Sequence, residues 1–177
     1  MKLPDIKLFI TDIDGVWTDG GMIYGSNGVE LKKFITADSA GVLLLKLLHI
    51  PTAIITGEET RMVSDRAEKL QIRHVFQGIR NKVACAEKLI QNLGVSLEET
   101  AFIGDDLNDM NLLSLVGLSA CPENAPDYVK RIVDWPLPVR GGDGVFRFFV
   151  EKYLNETGRL EEALSRSGNF FSDQEGV

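Results

Sequence analysis

Short apolar runs alternate with longer segments of helical period along most of this chain, and no other feature restricts its fold as strongly. Runs near 6–11, 52–55, 73–76, 100–103 and 117–120 are separated by helical patterns near 39–48, 59–70, 81–93 and 107–115, with two more near 125–131 and 145–154. That alternation is the sequence form of a parallel sheet whose crossover helices cover both faces. The chain is therefore predicted to be α/β, a Rossmann-like doubly wound parallel sheet. Asp38 and Ser39 ahead of the first helix, and Ser96 ahead of another helix, have the side chains of caps. In such sheets the carboxyl ends of the strands form the crevice where ligands bind.

The polar residues cluster at those predicted strand ends. Asp12-Ile13-Asp14-Gly15 follows the first run, Thr56-Gly57 the second, and Gly104-Asp105-Asp106-Leu107-Asn108-Asp109 the fourth, while Lys82 opens a helix. In an extended segment residues i and i+2 point the same way, so Asp12 and Asp14 are set to share one rim. One carboxylate could attack while the other moves a proton. An Asp-x-Asp-Gly alone is more often a strand-end turn than a catalytic pair; its recurrence with three further polar clusters in strand-end register favours a phosphoryl-transfer site. A carboxylate approaching a phosphate needs charge compensation, which a lysine and an oxygen-bound divalent cation can supply.

Composition narrows the classes further. The 177 residues suffice for a sizeable core, and 44% hydrophobic content is too high for a disordered chain. No apolar run approaches the length of a bilayer span, and Met1-Lys2-Leu3-Pro4-Asp5 lacks the apolar stretch of a signal peptide. These features lead to the expectation of a cytoplasmic protein without membrane contact. A net charge of -7 argues against a nucleic-acid surface. Cys85 and Cys121 lack Cys-x-x-Cys spacing and are expected to be free thiols; His49, His74, Trp17 and Trp135 are read as structural.

With these motifs in order, the chain resembles the haloacid dehalogenase-like phosphohydrolases over roughly residues 6 to 150. Asp14-Gly15-Val16-Trp17-Thr18-Asp19-Gly20, the Gly104–Asp109 run and Arg140-Gly141-Gly142-Asp143-Gly144 look like the small capless branch typified by the 3-deoxy-D-manno-octulosonate 8-phosphate phosphatases. The resemblance implies a Mg2+-dependent hydrolase of a phosphorylated sugar acid, with Asp12 as nucleophile and Asp14 as general acid and base. It implies Lys82 and Thr56 as partners of the transferring phosphate. Asp12, Asp105 and the Asp14 carbonyl would hold the metal, with Asp106 and Asp109 around it or orienting Lys82.

One segment interrupts the alternation. From Gly20 to Phe34 two short strand-like runs flank Asn27-Gly28, a strong hairpin signal, so a small hairpin over about 20–35 occupies the place where larger relatives insert a cap. An isolated hairpin is marginal in water, and the resemblance implies a homotetramer in which such hairpins pair and neighbouring subunits cover each other's sites. The core is expected over 1–155, followed by a polar tail over 156–177, partly disordered, which Phe170 and Phe171 could dock.

Substrate recognition is assigned to Thr56, Gly57, Glu58, Arg66, Lys69 and Lys82. Arg66 matches an arginine of the branch that faces a neighbouring site, and a guanidinium suits a sugar carboxylate; Lys69 could equally be a surface charge. The octulosonate phosphatases usually carry an arginine where this chain has Glu58, which raises nine-carbon acids such as 2-keto-3-deoxynononate 9-phosphate to parity with the octulosonate. The glycine-rich loop at 140–144 reads from spacing alone as a connection, and the resemblance implies that it helps close a site. The alternatives are a phosphatase of broader specificity, a cap-dependent phosphomutase, a phosphatase acting on a protein, and a non-catalytic regulatory or tetramerisation module associated with sialic-acid or octulosonate activation; the complete set of catalytic positions disfavours the last.

Overall fold

The computed structural model describes residues 3–172. In chain order the elements are β1 (Leu8–Thr11), β2 (Ile23–Tyr24), β3 (Glu30–Leu31), α1 (Ala37–Leu47), β4 (Thr52–Ile55), α2 (Arg61–Lys69), β5 (His74–Phe76), α3 (Lys82–Leu93), β6 (Thr100–Ile103), α4 (Met110–Leu113), β7 (Leu118–Cys121), α5 (Asp127–Lys130), β8 (Trp135–Pro136), α6 (Val145–Glu156) and α7 (Leu160–Ser172). Six strands form one parallel sheet in the order β5-β4-β1-β6-β7-β8. The chain thus winds outward from β1 through β4 to β5, then returns to the other side of β1 with β6. The switch in winding direction falls between β1 and β6, which is where an open α/β sheet leaves a crevice for ligands.

Both faces of the sheet are covered. Leu8 and Ile10 of β1 belong to one core layer, with Ala86 and Leu89 of α3, Leu112 of α4 and Val129 of α5. Phe9 belongs to the other, with Leu45 of α1, Val63 of α2, and Phe149 and Tyr153 of α6. That period-two alternation is what a strand packed on both sides requires. Phe9 meets Phe149 and Tyr153 edge-on, each with ring centroids 5.4 Å apart. The Tyr153 hydroxyl accepts the Ile6 N–H (2.8 Å) and donates to the Pro4 carbonyl (3.1 Å), tying α6 to the segment that leads into β1. The two tryptophans pack as expected: Trp17 is fully buried against Phe146, and Trp135 lies against Phe149 with the Lys152 ammonium over its ring.

Several elements differ from the sequence reading. The helical patterns at 107–115 and 125–131 shrink to single turns, α4 and α5. β8 was not foreseen, because two residues ending in a proline carry no strand period; the proline is tolerated because β8 lies at the sheet edge. The stretch expected to be a polar tail is helical from Leu160, and α7 buries Ala163 in the layer shared with α1 and α6. The docking role expected of Phe170 and Phe171 lies outside the described side chains. Ser96 caps no helix and instead opens the turn into β6, where its N–H donates to Glu99 (3.1 Å). The side-chain caps of α2 and α3 are Thr60 and Asn81.

The hairpin forms where Asn27-Gly28 places it. β2 and β3 pair antiparallel, with Ile23 opposite Leu31 and Tyr24 opposite Glu30, and Gly28 takes the positive φ that the turn requires. Ile23, Tyr24, Val29 and Leu31 are all exposed. Among the described residues no helix is long and apolar enough to cross a membrane, and Cys85 and Cys121 are free.

Asp38 is not the cap of its own helix. It sits in the first turn of α1, fully buried, and its Oδ1 accepts the N–H of Arg147 in the first turn of α6 (3.1 Å). Its Oδ2 has no partner. Burial raises this carboxyl from 3.8 to about 6, against the pull of the Arg147 and Phe146 N–H groups and the Arg66 charge. Between those values the folded chain keeps a proton that the unfolded chain has released, so stability is lost as pH rises through that window. Asp38→Asn is therefore expected to gain on the native protein by about 1–3 kcal/mol between pH 4 and pH 7 in urea unfolding. A pH-independent difference would show that Asp38 titrates normally.

Candidate active site

The exits of β1 and β6, the two central strands, bring the first and last acidic motifs side by side. Asp12 follows β1, is 4% exposed, and its Oδ1 accepts the N–H of Ile13 at 2.7 Å. Its Oδ2 lies 2.9 Å from the Nζ of Lys82. Lys82 is the first residue of α3, where Asn81 caps the helix by accepting the Ala84 N–H (3.1 Å), so the helix start aims the ammonium inward. The same Nζ meets Asp109 Oδ1 at 2.6 Å. Asp109 in turn accepts the N–H groups of Asp105 (3.0 Å) and Asp106 (3.2 Å) at Oδ2. One buried carboxylate therefore fixes both the lysine and the loop that presents Asp105.

The electrostatics are strained toward negative charge. Carboxylate oxygens of Asp12, Asp105 and Asp109 lie within 4.8 Å of one another. Burial, then the charges of Asp12, Asp109 and Asp106, push the Asp105 carboxyl up to about 8. Asp12 is also raised, by burial and by Asp109, with Lys82 opposing. Burial alone would lower the Lys82 ammonium, and Asp12 and Asp109 reverse that, leaving it raised. An all-oxygen set carrying this much unbalanced charge suits a hard divalent cation. Asp12, Asp105 and Asp109 are close enough together to share such an ion.

Close backbone packing holds these groups together. Gly15 has φ of +82°, and a Cβ there would lie 1.9 Å from Asp105 Oδ2; only glycine lets the first motif turn beside the last. The glycine-rich loop is also more than a connection. A Cβ on Gly141 would lie 1.8 Å from the Gly15 carbonyl oxygen, and the Gly142 N–H donates to Val16 O (2.9 Å), so the loop packs on the turn that carries Asp14.

The other expected residues separate into those near this centre and those elsewhere. Thr56 is buried at the end of β4, held by backbone bonds to Phe76 and Ile79, with Gly57 and Glu58 exposed beyond it. Asp106 does not contact Lys82; its Oδ1 accepts the Tyr128 hydroxyl (2.8 Å) and the Leu107 N–H (2.7 Å). Arg66 turns to the start of α1, where its Nη2 donates to Ser39 Oγ (2.7 Å) and Ile35 O (3.3 Å). Lys69 ends α2 on the exposed surface.

One residue escaped the sequence reading. The Nζ of Lys32 reaches both oxygens of Asp14 (2.6 and 2.7 Å) and lies 3.6 Å from Glu58. The signal was present in Asn27-Gly28: once that dipeptide folds the hairpin back, the residue after its second strand returns toward the first motif.

A parallel sheet with two carboxylates, an alcohol, a lysine and a later acidic cluster at its carboxyl rim defines a phosphohydrolase-type α/β domain. Residues 52–149 match the haloacid dehalogenase-like hydrolase family, and the chain belongs to it. It is 36% identical over 166 residues to the 3-deoxy-D-manno-octulosonate 8-phosphate phosphatase of Escherichia coli K12, covering 94% of this chain and 88% of that one. Among solved structures it is similar to the same enzyme of Moraxella catarrhalis in complex with magnesium, phosphate and KDO (34% identity, 92% and 93% coverage, TM-score 0.88). It is also similar to the cobalt-bound Haemophilus influenzae phosphatase (36%, 87% and 90%, TM-score 0.83).

Proposed function

We propose that this protein is a Mg2+-dependent phosphatase that hydrolyses the phosphate monoester of a 2-keto-3-deoxy sugar acid, either 3-deoxy-D-manno-octulosonate 8-phosphate or a nine-carbon homologue. The observation that carries the reading is Asp12 held 2.9 Å from a buried lysine at the rim where Asp14 and Asp105 also emerge. The similarity to magnesium- and cobalt-bound octulosonate phosphatases supports both the ester class and the metal.

Asp12 attacks phosphorus in line and forms an aspartyl phosphate as the bond to the sugar oxygen breaks, and Asp14 gives that oxygen its proton. Water then attacks the aspartyl phosphate, losing a proton to Asp14, and releases phosphate with Asp12 restored. Lys82 holds Asp12 in place and offsets charge on the transferring oxygens, while Thr56 offers them a hydroxyl and a backbone donor. A bound magnesium, held by Asp12, Asp105 and the Asp14 carbonyl, supplies the further positive charge that lets a carboxylate approach a phosphate dianion. Asp12→Asn keeps the shape of the site and removes the nucleophile, so turnover is expected to fall by about 10³-fold or more while the circular dichroism spectrum stays that of the folded protein; activity near the native level would assign the nucleophile elsewhere.

Glu58 supports extending the substrate class to nine carbons. Its carboxylate sits 3.6 Å from Lys32 and so lies at the mouth of the site, where it would repel an unpaired carboxylate and favour hydroxyls or an ammonium. In parallel assays on the eight- and nine-carbon esters, Glu58→Arg is expected to shift the ratio of kcat/KM toward the eight-carbon ester by about tenfold. An unmoved ratio would remove Glu58 from substrate choice.

The exposed apolar hairpin supports a homotetramer in which neighbours cover each other's sites, since paired strands with apolar edges are usually protected. Ile23 and Leu31 are each 54% exposed. Replacing both with Asp is expected to reduce the sedimentation mass to that of one chain, and an unchanged mass would place the contact elsewhere.

A further inference from the structure

Among the described residues, Lys32 is the one buried ammonium beside the reacting groups to which the proposed chemistry gives no task. Its side chain is 1% exposed, although it follows directly on β3, whose last residue Leu31 is among the more exposed apolar side chains. The chain therefore turns a lysine inward from the base of an otherwise exposed hairpin. The ammonium contacts both Asp14 oxygens (2.6 and 2.7 Å), and the Thr18 hydroxyl donates to Oδ1 from 3.3 Å. Glu58 stands 3.6 Å away on the same ammonium.

We infer that Lys32 is a positioning residue for the proton donor: by gripping both Asp14 oxygens from the base of the hairpin, it fixes the direction in which that carboxylate meets the leaving oxygen. The inference rests on the proposed phosphatase reading and deepens it.

An aspartate side chain is short and has two torsions, and a carboxylate at a strand-end turn is free to rotate about both unless something holds it. Asp14 is partly exposed, with 24% of its side chain accessible, so packing alone does not fix it. A two-point contact to a buried ammonium does, and Thr18 makes the two oxygens inequivalent by adding a second donor at Oδ1. Glu58 lies 3.6 Å from the same ammonium. Proton transfer contributes strongly only when donor and acceptor are within hydrogen-bond reach at the moment of bond breaking, so a loosened Asp14 is a poorer donor.

Leaving-group dependence separates this role from a merely structural one. An alkyl ester needs a proton on its departing oxygen, whereas p-nitrophenolate leaves as a stable anion. Both esters share the attack by Asp12, and kcat/KM reports events through that first transfer. In Lys32→Met, kcat/KM for 3-deoxy-D-manno-octulosonate 8-phosphate is expected to fall at least about tenfold more than kcat/KM for p-nitrophenyl phosphate. If that variant does not fold, Lys32→Gln, which retains a hydrogen-bond donor, carries the same expectation at smaller size. An unchanged ratio in the folded variant, whether both activities fall together or neither falls, overturns the inference. Failure of the native protein to hydrolyse either ester would instead overturn the phosphatase reading, so the two failures are distinguishable.

Discussion

The site depends on the ammonium of Lys82, buried between Asp12 at 2.9 Å and Asp109 at 2.6 Å. Those three residues lie far apart in sequence, one at the exit of β1, one at the first turn of α3 and one after β6, and a single charge holds them together. Removing one partner from a buried ion pair generally costs about 3–5 kcal/mol because the other charge is left uncompensated in a poor solvent. Asp109 extends the arrangement by accepting two backbone N–H groups from the loop that carries Asp105. The geometry of the acidic loop is therefore set by the same carboxylate that sets the lysine, and neither can shift without the other.

One ammonium does not balance the acids gathered at this rim. The raised Asp105, at about 8, expresses that deficit directly: its charged form is disfavoured by burial and by the neighbouring acids. The fold holds acids at close range because Gly15 leaves no Cβ to separate the first motif from the last. Such an arrangement is costly for the chain alone and becomes favourable when a cation and a phosphate share the site, since each offsets the other's charge. Stability and function oppose one another here, and the fully covered sheet supplies the margin.

The sequence made the sheet legible because β1, β4, β6 and β7 are short apolar runs at regular intervals, and in three of the sheet's strands a polar cluster follows immediately. Lys82 was legible for a related reason, since it opens a helical stretch in order between Thr56 and Asp105. What escaped the sequence was decided by tertiary contact. Among the described side chains of α7 only Ala163 is buried, and it gives little sign of the layer it joins. Asp38 reads as a local cap, yet its partner is 109 positions away at Arg147. Ser96 has the chemistry of a cap and the position of a turn. Lys32 lies beside Lys33 in what looks like a solvated pair, and only the closure of the hairpin separates the buried one from the exposed one.

The hairpin faces two ways. It presents Ile23 and Leu31 on one face and Tyr24 on the other to solvent, apolar surface that water disfavours and that another strand edge would satisfy. Its base carries Lys32 inward to Asp14. In a two-stranded element with few internal contacts, what happens at the outer surface reaches the base within a few residues, because no core intervenes to absorb it. Ordering the outer surface would therefore also order the ammonium that grips Asp14. In the proposed phosphatase this joins the outer surface of the hairpin and the alignment of Asp14 in one short segment of chain.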